Sequence, residues 1–390
     1  MILLNLLLPD YILKCIDILQ NGGYEAYCVG GAVRDLIMGR VPNDYDLATN
    51  APCRAAADLF EKFYLTGEKH GTATVIEDGH AVEITTYRSD GDYLDSRHPK
   101  SVQFVGDIET DLLRRDFTVN ALAFHPTKGL VDITGGAADI ENKILRAVGN
   151  PRRRFGEDAL RIMRLFRFSG ELGFKIEGDT LSGALFKKDL LSNISRERIY
   201  SELSRLLVSP DPTALNPLLK SGGLDFLGVN KCALDDKIKE IPPLLPLRTA
   251  VFCDMTEALP ERLLKALKCD TKTLRKAEIF YELLGGAPKK YSDFKRIFEK
   301  LEFDEWKALA AALAAIHGEN FKYITDYAEK IIKNNEPYKI QMLAINGDDV
   351  KKLGFKGKEI GKALENCLSL CLEKPSENKK DALIEYLLNH

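Results

Sequence analysis

Strand-forming runs fill residues 23–140 of this chain and almost vanish after Ile140, where helical periodicity takes over to the C-terminus. A run of strands followed by a run of helices points to the α+β class, with an N-terminal mixed sheet and an all-α remainder. Strands are expected at 26–29 and 45–49, as a hairpin of 71–77 and 81–87 around Asp78-Gly79, and at 102–105 and 130–133. Helices fit at 31–39, 52–63 and 107–113, and residues 1–22 read as a short segment and a helix packing on the first domain. At 390 residues the chain exceeds the size at which single cores stop growing, so two to four domains are expected. Softer breaks fall near Pro210-Asp211-Pro212, at 230–246 and at 334–337.

The 45% hydrophobic and 29% charged residues describe an ordinary soluble protein. With a formal net charge of −3, a nucleic-acid partner requires a local basic surface. The apolar N-terminus lacks a basic leader and a small-residue cleavage site, and Pro9-Asp10 interrupts it. No run of about 18 apolar residues follows, so no membrane span is expected. The eight cysteines are scattered without a Cys-x-x-Cys pair, which favours reduced thiols and a cytoplasmic protein over a zinc site or disulfide framework.

Chemistry enters with Gly30-Gly31 and, after a short helix, Asp44-Tyr45-Asp46. In a strand, residues i and i+2 share a face, so the two carboxylates converge. Paired acidic oxygens suit Mg²⁺, and Gly-Gly ahead of a helix N-terminus suits a triphosphate. Glu83, in the second strand of the hairpin, is either a third carboxylate near the metal or a solvent-facing residue. Arg114-Arg115 either clamp phosphate, as the guanidinium fork allows, or end a helix in exposed charge, and Asn120 is in range of a sugar hydroxyl. Farther on, Ala159, Ile162, Met163 and Phe166 form an apolar helical stripe, with Glu157, Asp158, Arg161 and Arg164 on the opposite arc. That arc is a solvated face by default, or a fixed donor and acceptor set able to read the Watson–Crick edge of a base. Residues 146–205 carry thirteen Lys and Arg against eight Asp and Glu, Arg152, Arg153 and Arg154 among them, a surplus that suits polyphosphate and RNA. Near the C-terminus, the Gly-rich turn at 353–361 with Lys356 and Lys358 is either an RNA-phosphate contact or a tight helix–turn–helix connection.

Taken in order, these motifs resemble the bacterial class II tRNA nucleotidyltransferases, the CCA-adding enzymes, of the polymerase β-like superfamily. The resemblance runs along residues 24–207: 30–35 with 44–46, 114–121, 132–136, 157–161 and 194–198. It implies a head (1–140), a helical neck that selects the nucleotide (141–208), a body (209–335) and a tRNA-binding tail (336–390). It further implies template-independent addition of C, C and A to the tRNA 3′ end from CTP and ATP, by two-metal nucleotidyl transfer. By the same resemblance Asp44 and Asp46 hold Mg²⁺; Glu83 joins them as a catalytic candidate only on the strand argument above. Gly30, Gly31, Arg34, Arg114, Arg115, Asp116, Asn120 and Arg164 surround the sugar and triphosphate, while Asp158 and Arg161 hydrogen-bond the base. Residues 88–99, with Arg88, Asp92 and Arg97, resemble the family's flexible loop, associated with switching from C to A addition. A loop of that length disfavours CC-only activity and leaves A-only addition open. A poly(A) polymerase, the other alternative, usually carries a longer basic tail. Residues 346–380 hold only eight Lys against six acids.

Overall fold

The computed structural model describes residues 6–90, 102–230 and 233–389, in two compact units, 1–233 and 234–390. The first is built on a seven-stranded sheet. Its strands are β1 Ala26–Val29, β2 Asp46–Thr49, β3 Phe63–Gly67, β4 Thr72–Glu77, β5 His80–Thr86, β8 Ala123–His125 and β9 Gly129–Val131, in the order β3-β4-β5-β2-β1-β8-β9. β2 and β5 run parallel and every other pairing is antiparallel. The sheet is therefore mixed. The β4–β5 hairpin closes on Asp78 and Gly79, both at positive φ, as a two-residue turn matched to strand twist requires. β1 is buried along its whole length, whereas β5 alternates, with Val82 and Ile84 inside and Glu83 outside. Helix α1, Asp10–Asn21, buries Ile12, Cys15, Ile16 and Leu19, one stripe at helical spacing.

Two expectations for the sheet needed correction, and one strand was not foreseen. The strand expected at 102–105 is β7, Val102–Phe104, and it pairs with β6, Arg88–Asp90, in a separate two-stranded ribbon. The helix expected at 52–63 shrinks to α3, Cys53–Ala57, because residues 63–67 supply the aromatic and branched side chains of edge strand β3. β8 went unforeseen, since three buried residues show no periodicity.

Between the strands of the sheet lie α2 Gly31–Ile37 and α4 Ile108–Leu113, and after the last of them come α5 Gly136–Glu141, α6 Pro151–Glu157, α7 Leu160–Leu172, α8 Gly178–Phe186, α9 Arg196–Leu207 and α10 Asn216–Lys220. Gly136 is obligatory for packing. A Cβ there would lie 2.1 Å from the Thr118 carbonyl oxygen, so α5 approaches the sheet domain as only glycine permits. The expected unbroken helix through 157–164 is another correction. Asp158 is extended (φ −137°, ψ 107°) and its carboxylate accepts from Leu160 N–H at 3.0 Å, ending α6 and starting α7.

The second unit is helical throughout its described length. Helices α11 Leu245–Met255, α12 Pro260–Ala266, α13 Thr271–Leu284, α14 Tyr291–Ile297, α15 Phe303–His317 and α16 Lys322–Lys333 precede α17 Gly347–Lys352, α18 Lys358–Glu373 and α19 Lys380–Asn389. Trp306 is fully buried against Phe294 and Phe298, and its indole N–H donates to the Phe298 carbonyl at 3.0 Å. Lys295, with no exposed surface, pairs with Glu336 at 3.1 Å. No described helix is long and apolar enough to cross a membrane, and all described cysteines are free thiols.

Candidate active site

Side chains from the sheet rim and from α7 and α9 meet around a cleft of about 560 Å³ in the first unit. Its floor is acidic. Asp46 opens β2 and is the direct partner of Glu83 on the parallel neighbour β5, so both side chains leave the sheet on the same face. The strand starts one residue later than expected and leaves Asp44 outside it, so strand alternation does not place Asp44, which nonetheless lines the same cleft. Desolvation, Asp44 and Glu83 push the Asp46 carboxyl up to about 6 against the relief given by Arg115. Glu83 is both exposed and, by register, the direct neighbour of Asp46.

The opposite wall is cationic. Nine arginines line the cleft, and four of them, Arg114, Arg115, Arg164 and Arg167, pair with the buried carboxylates Asp111, Asp116 and Glu202. Asp111, fully buried, receives both guanidiniums of Arg114 (2.6 and 3.0 Å) and Arg115 (3.1 and 3.3 Å). Burial disfavours its charge, yet the two arginines outweigh that and leave its pKa lowered. Asp116 is held from two sides, by Arg164 Nε at 2.8 Å and by Asn120 Nδ2 at 3.2 Å. Burial alone would raise it; Arg164, Asn120 and Arg161 bring it down to about 2. Asn120 in turn accepts from Arg34 at 2.7 Å, and Arg34 also bonds Asp35 at 2.9 Å. Gly30 begins this corner at φ 72°, ψ −130°, a conformation closed to side-chain-bearing residues, and a Cβ there would meet Arg115 at 2.9 Å.

Asp158 and Arg161, expected from the sequence to read the base, sit on the α6–α7 break. Arg161 is buried, not solvated, and bonds Glu157 at 2.8 Å and the carbonyls of Arg154 and Arg114 at 3.1 Å each. Asp158 bonds Arg198 at 3.1 Å across forty residues of sequence. Both line the cleft, with Gly30, Gly31, Arg34, Arg88, Arg114, Arg115, Asp116, Asn120 and Arg164.

Others go elsewhere. Arg154 bonds the carbonyls of Leu113 (2.7 Å), Arg114 (3.0 Å) and Val148 (3.1 Å), and with Arg153 lines a second cleft. Arg152 packs over the Phe186 ring. Lys356 and Lys358 lie exposed at the α17–α18 connection of the second unit, where Gly354 and Gly357 take positive φ, as a tight helix–turn–helix link requires. Asp92 and Arg97 fall outside the described residues. Sequence reasoning missed Asp111 as an anchor, as well as Arg167, Arg198, Arg205 and Phe168, all of which except Asp111 line the cleft. Asp111 was legible in its three- and four-residue spacing to Arg114 and Arg115. The Phe168 ring has the guanidiniums of Arg167, Arg164 and Arg34 at 3.9, 5.2 and 5.4 Å.

The donor set fits a hard divalent cation. Carboxylate oxygens are offered without thiol or imidazole in the lining, and among the described residues Asp46 has no ion-pair partner, Arg115 giving it only partial relief. Among the described residues no three His, Cys, Asp or Glu side chains cage a metal by themselves. An ion held here would draw its remaining ligands from water and substrate.

Comparison with known proteins agrees with this geometry. Residues 26–146 match the poly A polymerase head domain, and 173–227 match the probable RNA- and SrmB-binding site of polymerase A. The CCA-adding enzyme of Geobacillus thermodenitrificans is 47% identical over 206 residues, a match that spans 53% of this chain and about half, 51%, of that relative. The CCA-adding enzyme of Bacillus pumilus is 34% identical over 392 residues, covering 97% of this chain and 96% of its own. In structure, the Bacillus stearothermophilus CCA-adding enzyme in complex with CTP superposes with a TM-score of 0.85 at 30% identity, over 97% of this chain and 96% of that one. The chain belongs to the family of CCA-adding enzymes.

Proposed function

We propose that this protein adds C, C and A to the 3′ end of tRNA, taking CTP and ATP as substrates and the terminal 3′-hydroxyl as nucleophile, in the cytoplasm. The observation that carries the reading is one cleft with an acidic floor, Asp44, Asp46 and Glu83, facing a wall of carboxylate-fixed arginines. Asp44 and Asp46 would hold Mg²⁺, with Glu83 beside them; bound there, the ion supplies activation of the hydroxyl and charge relief at the leaving pyrophosphate. Arg34, Arg114, Arg115 and Arg164 supply fixed positive charge to the triphosphate, and their anchors mean little reorganisation on binding. Asn120 offers an amide at the sugar.

Base choice falls to Asp158 and Arg161. Three bonds to protein engage Arg161, leaving two of its five donors for an acceptor on the base. Asp158 keeps acceptor capacity beside Arg198. On this reading the head (1–140) does chemistry, the neck (141–208) selects, and the body (209–335) and tail (336–390), Lys356 and Lys358 included, hold tRNA. The deciding experiment supplies tRNA lacking its terminal CCA with labelled CTP and ATP. Addition should stop after three nucleotides. No incorporation refutes the reading, incorporation of ATP only onto tRNA ending in CC identifies an A-only enzyme, and unlimited ATP addition identifies a poly(A) polymerase.

A further inference from the structure

Outside the catalytic cleft, a second opening of about 350 Å³ shares one wall with it, Arg114. Around this opening stand Arg153, Arg154 and Asn150, with Glu157 the single acid. Arg154 is spent on backbone carbonyls. Arg153 is different: its side chain is 83% exposed and touches Glu157 only at 3.3 Å. With the guanidinium in solvent, and Glu157 already paired with Arg154 and Arg161, this contact contributes little and is readily exchanged for a phosphate. The preceding residue on α6, Arg152, lies 4.4 Å over the ring of Phe186, and Lys187 Nζ lies 5.6 Å from the same ring. Phe186 closes α8 and is 60% exposed, an uncommon position for phenylalanine.

An exposed aromatic with two cations on it, one of them the α6 neighbour of an arginine at a basic opening, has the composition of a single-strand platform: a π-face for a base and charge for the backbone. We propose that RNA leaving the catalytic cleft past Arg114 sets a phosphate against Arg153 and stacks a base on Phe186, between Arg152 and Lys187. The inference rests on the tRNA reading above and adds to it a named path for the strand. The charge complementarity favours RNA over a protein partner, which would meet three cations and one carboxylate.

The test uses the full chain with tRNA lacking CCA. Phe186→Ala should weaken tRNA binding about fivefold or more, and Phe186→Trp should restore it, with the introduced indole quenched when RNA is added. Arg153→Gln should lower the slope of log affinity against log salt by about one. The rate at saturating tRNA and the KM for CTP should be unchanged in all three. Wild-type affinity in Phe186→Ala, or an indole indifferent to RNA, overturns the proposal; a protein occupant of this face would give both results. Binding and quenching are read without nucleotide, so a wild-type protein that fails to incorporate CTP would refute the catalytic reading separately.

Discussion

Asp46 sits among carboxylates, and its behaviour with pH follows from that crowding. Its pKa is raised to about 6, so the folded, metal-free protein holds this proton more tightly than the unfolded chain does. The charged form therefore costs stability in full above pH 6, and the cost vanishes below about 4. Asp46→Asn is expected to raise the melting temperature of the metal-free protein at pH 7.5, with the gain fading towards pH 4, while reducing nucleotide incorporation at least about 10³-fold. Divalent-cation affinity of the wild type should fall as pH drops through 6, because protons and metal compete for one oxygen set. Asp116 has the opposite sign. Held at about 2, it contributes stability that is complete above about 4 and lost as pH falls towards 2. Asp116→Asn should cost about 2 kcal/mol at pH 7 and flatten acid denaturation over that window. The Asp-x-Asp pair was legible because its spacing is local. The anchors were harder to see, since Arg198 meets Asp158 and Arg164 meets Asp116 only across forty or more residues of folded chain.

Among elements, the β4–β5 hairpin was readable from Asp78-Gly79 and alternating apolar residues, since both signals lie within one turn and two strands. β3 and β8 were not, because an edge strand and a three-residue buried strand owe their state to neighbours rather than to pattern. The α6–α7 break likewise hid behind an apolar stripe that continues through it; what interrupts the helix is a side-chain cap at Asp158. At α5 the limiting contact is steric. Gly136→Ala must displace backbone at Thr118 and should cost about 1–3 kcal/mol, measured by chemical denaturation.

Across the molecule, the first compact unit extends to Ala233 and takes in the basic helices. Guanidiniums contribute to this: Arg154, Arg161 and Arg164 reach back to the carbonyls and carboxylate of 113–116, stitching α6 and α7 to the end of α4 and the segment after it. In the second unit, Lys295 and Glu336 form a buried ion pair. Lys295→Met should cost about 3–5 kcal/mol by stranding a carboxylate, whereas joint replacement of both residues by apolar ones should be far milder. No motif announced this pair, whose members lie forty-one residues apart.

The parallel pairing of β2 with β5 also sets which kinds of sequence change the family can accept. Asp46 and Glu83 are opposed by register, so their spacing is written in backbone hydrogen bonds and survives many core substitutions. Extra residues at the Asp78-Gly79 tip would lengthen only a loop. A single residue inserted between His80 and Glu83 would turn that carboxylate to the other side of the sheet. Length variation among descendants of this chain should therefore collect at the hairpin tip and be purged two or three residues away.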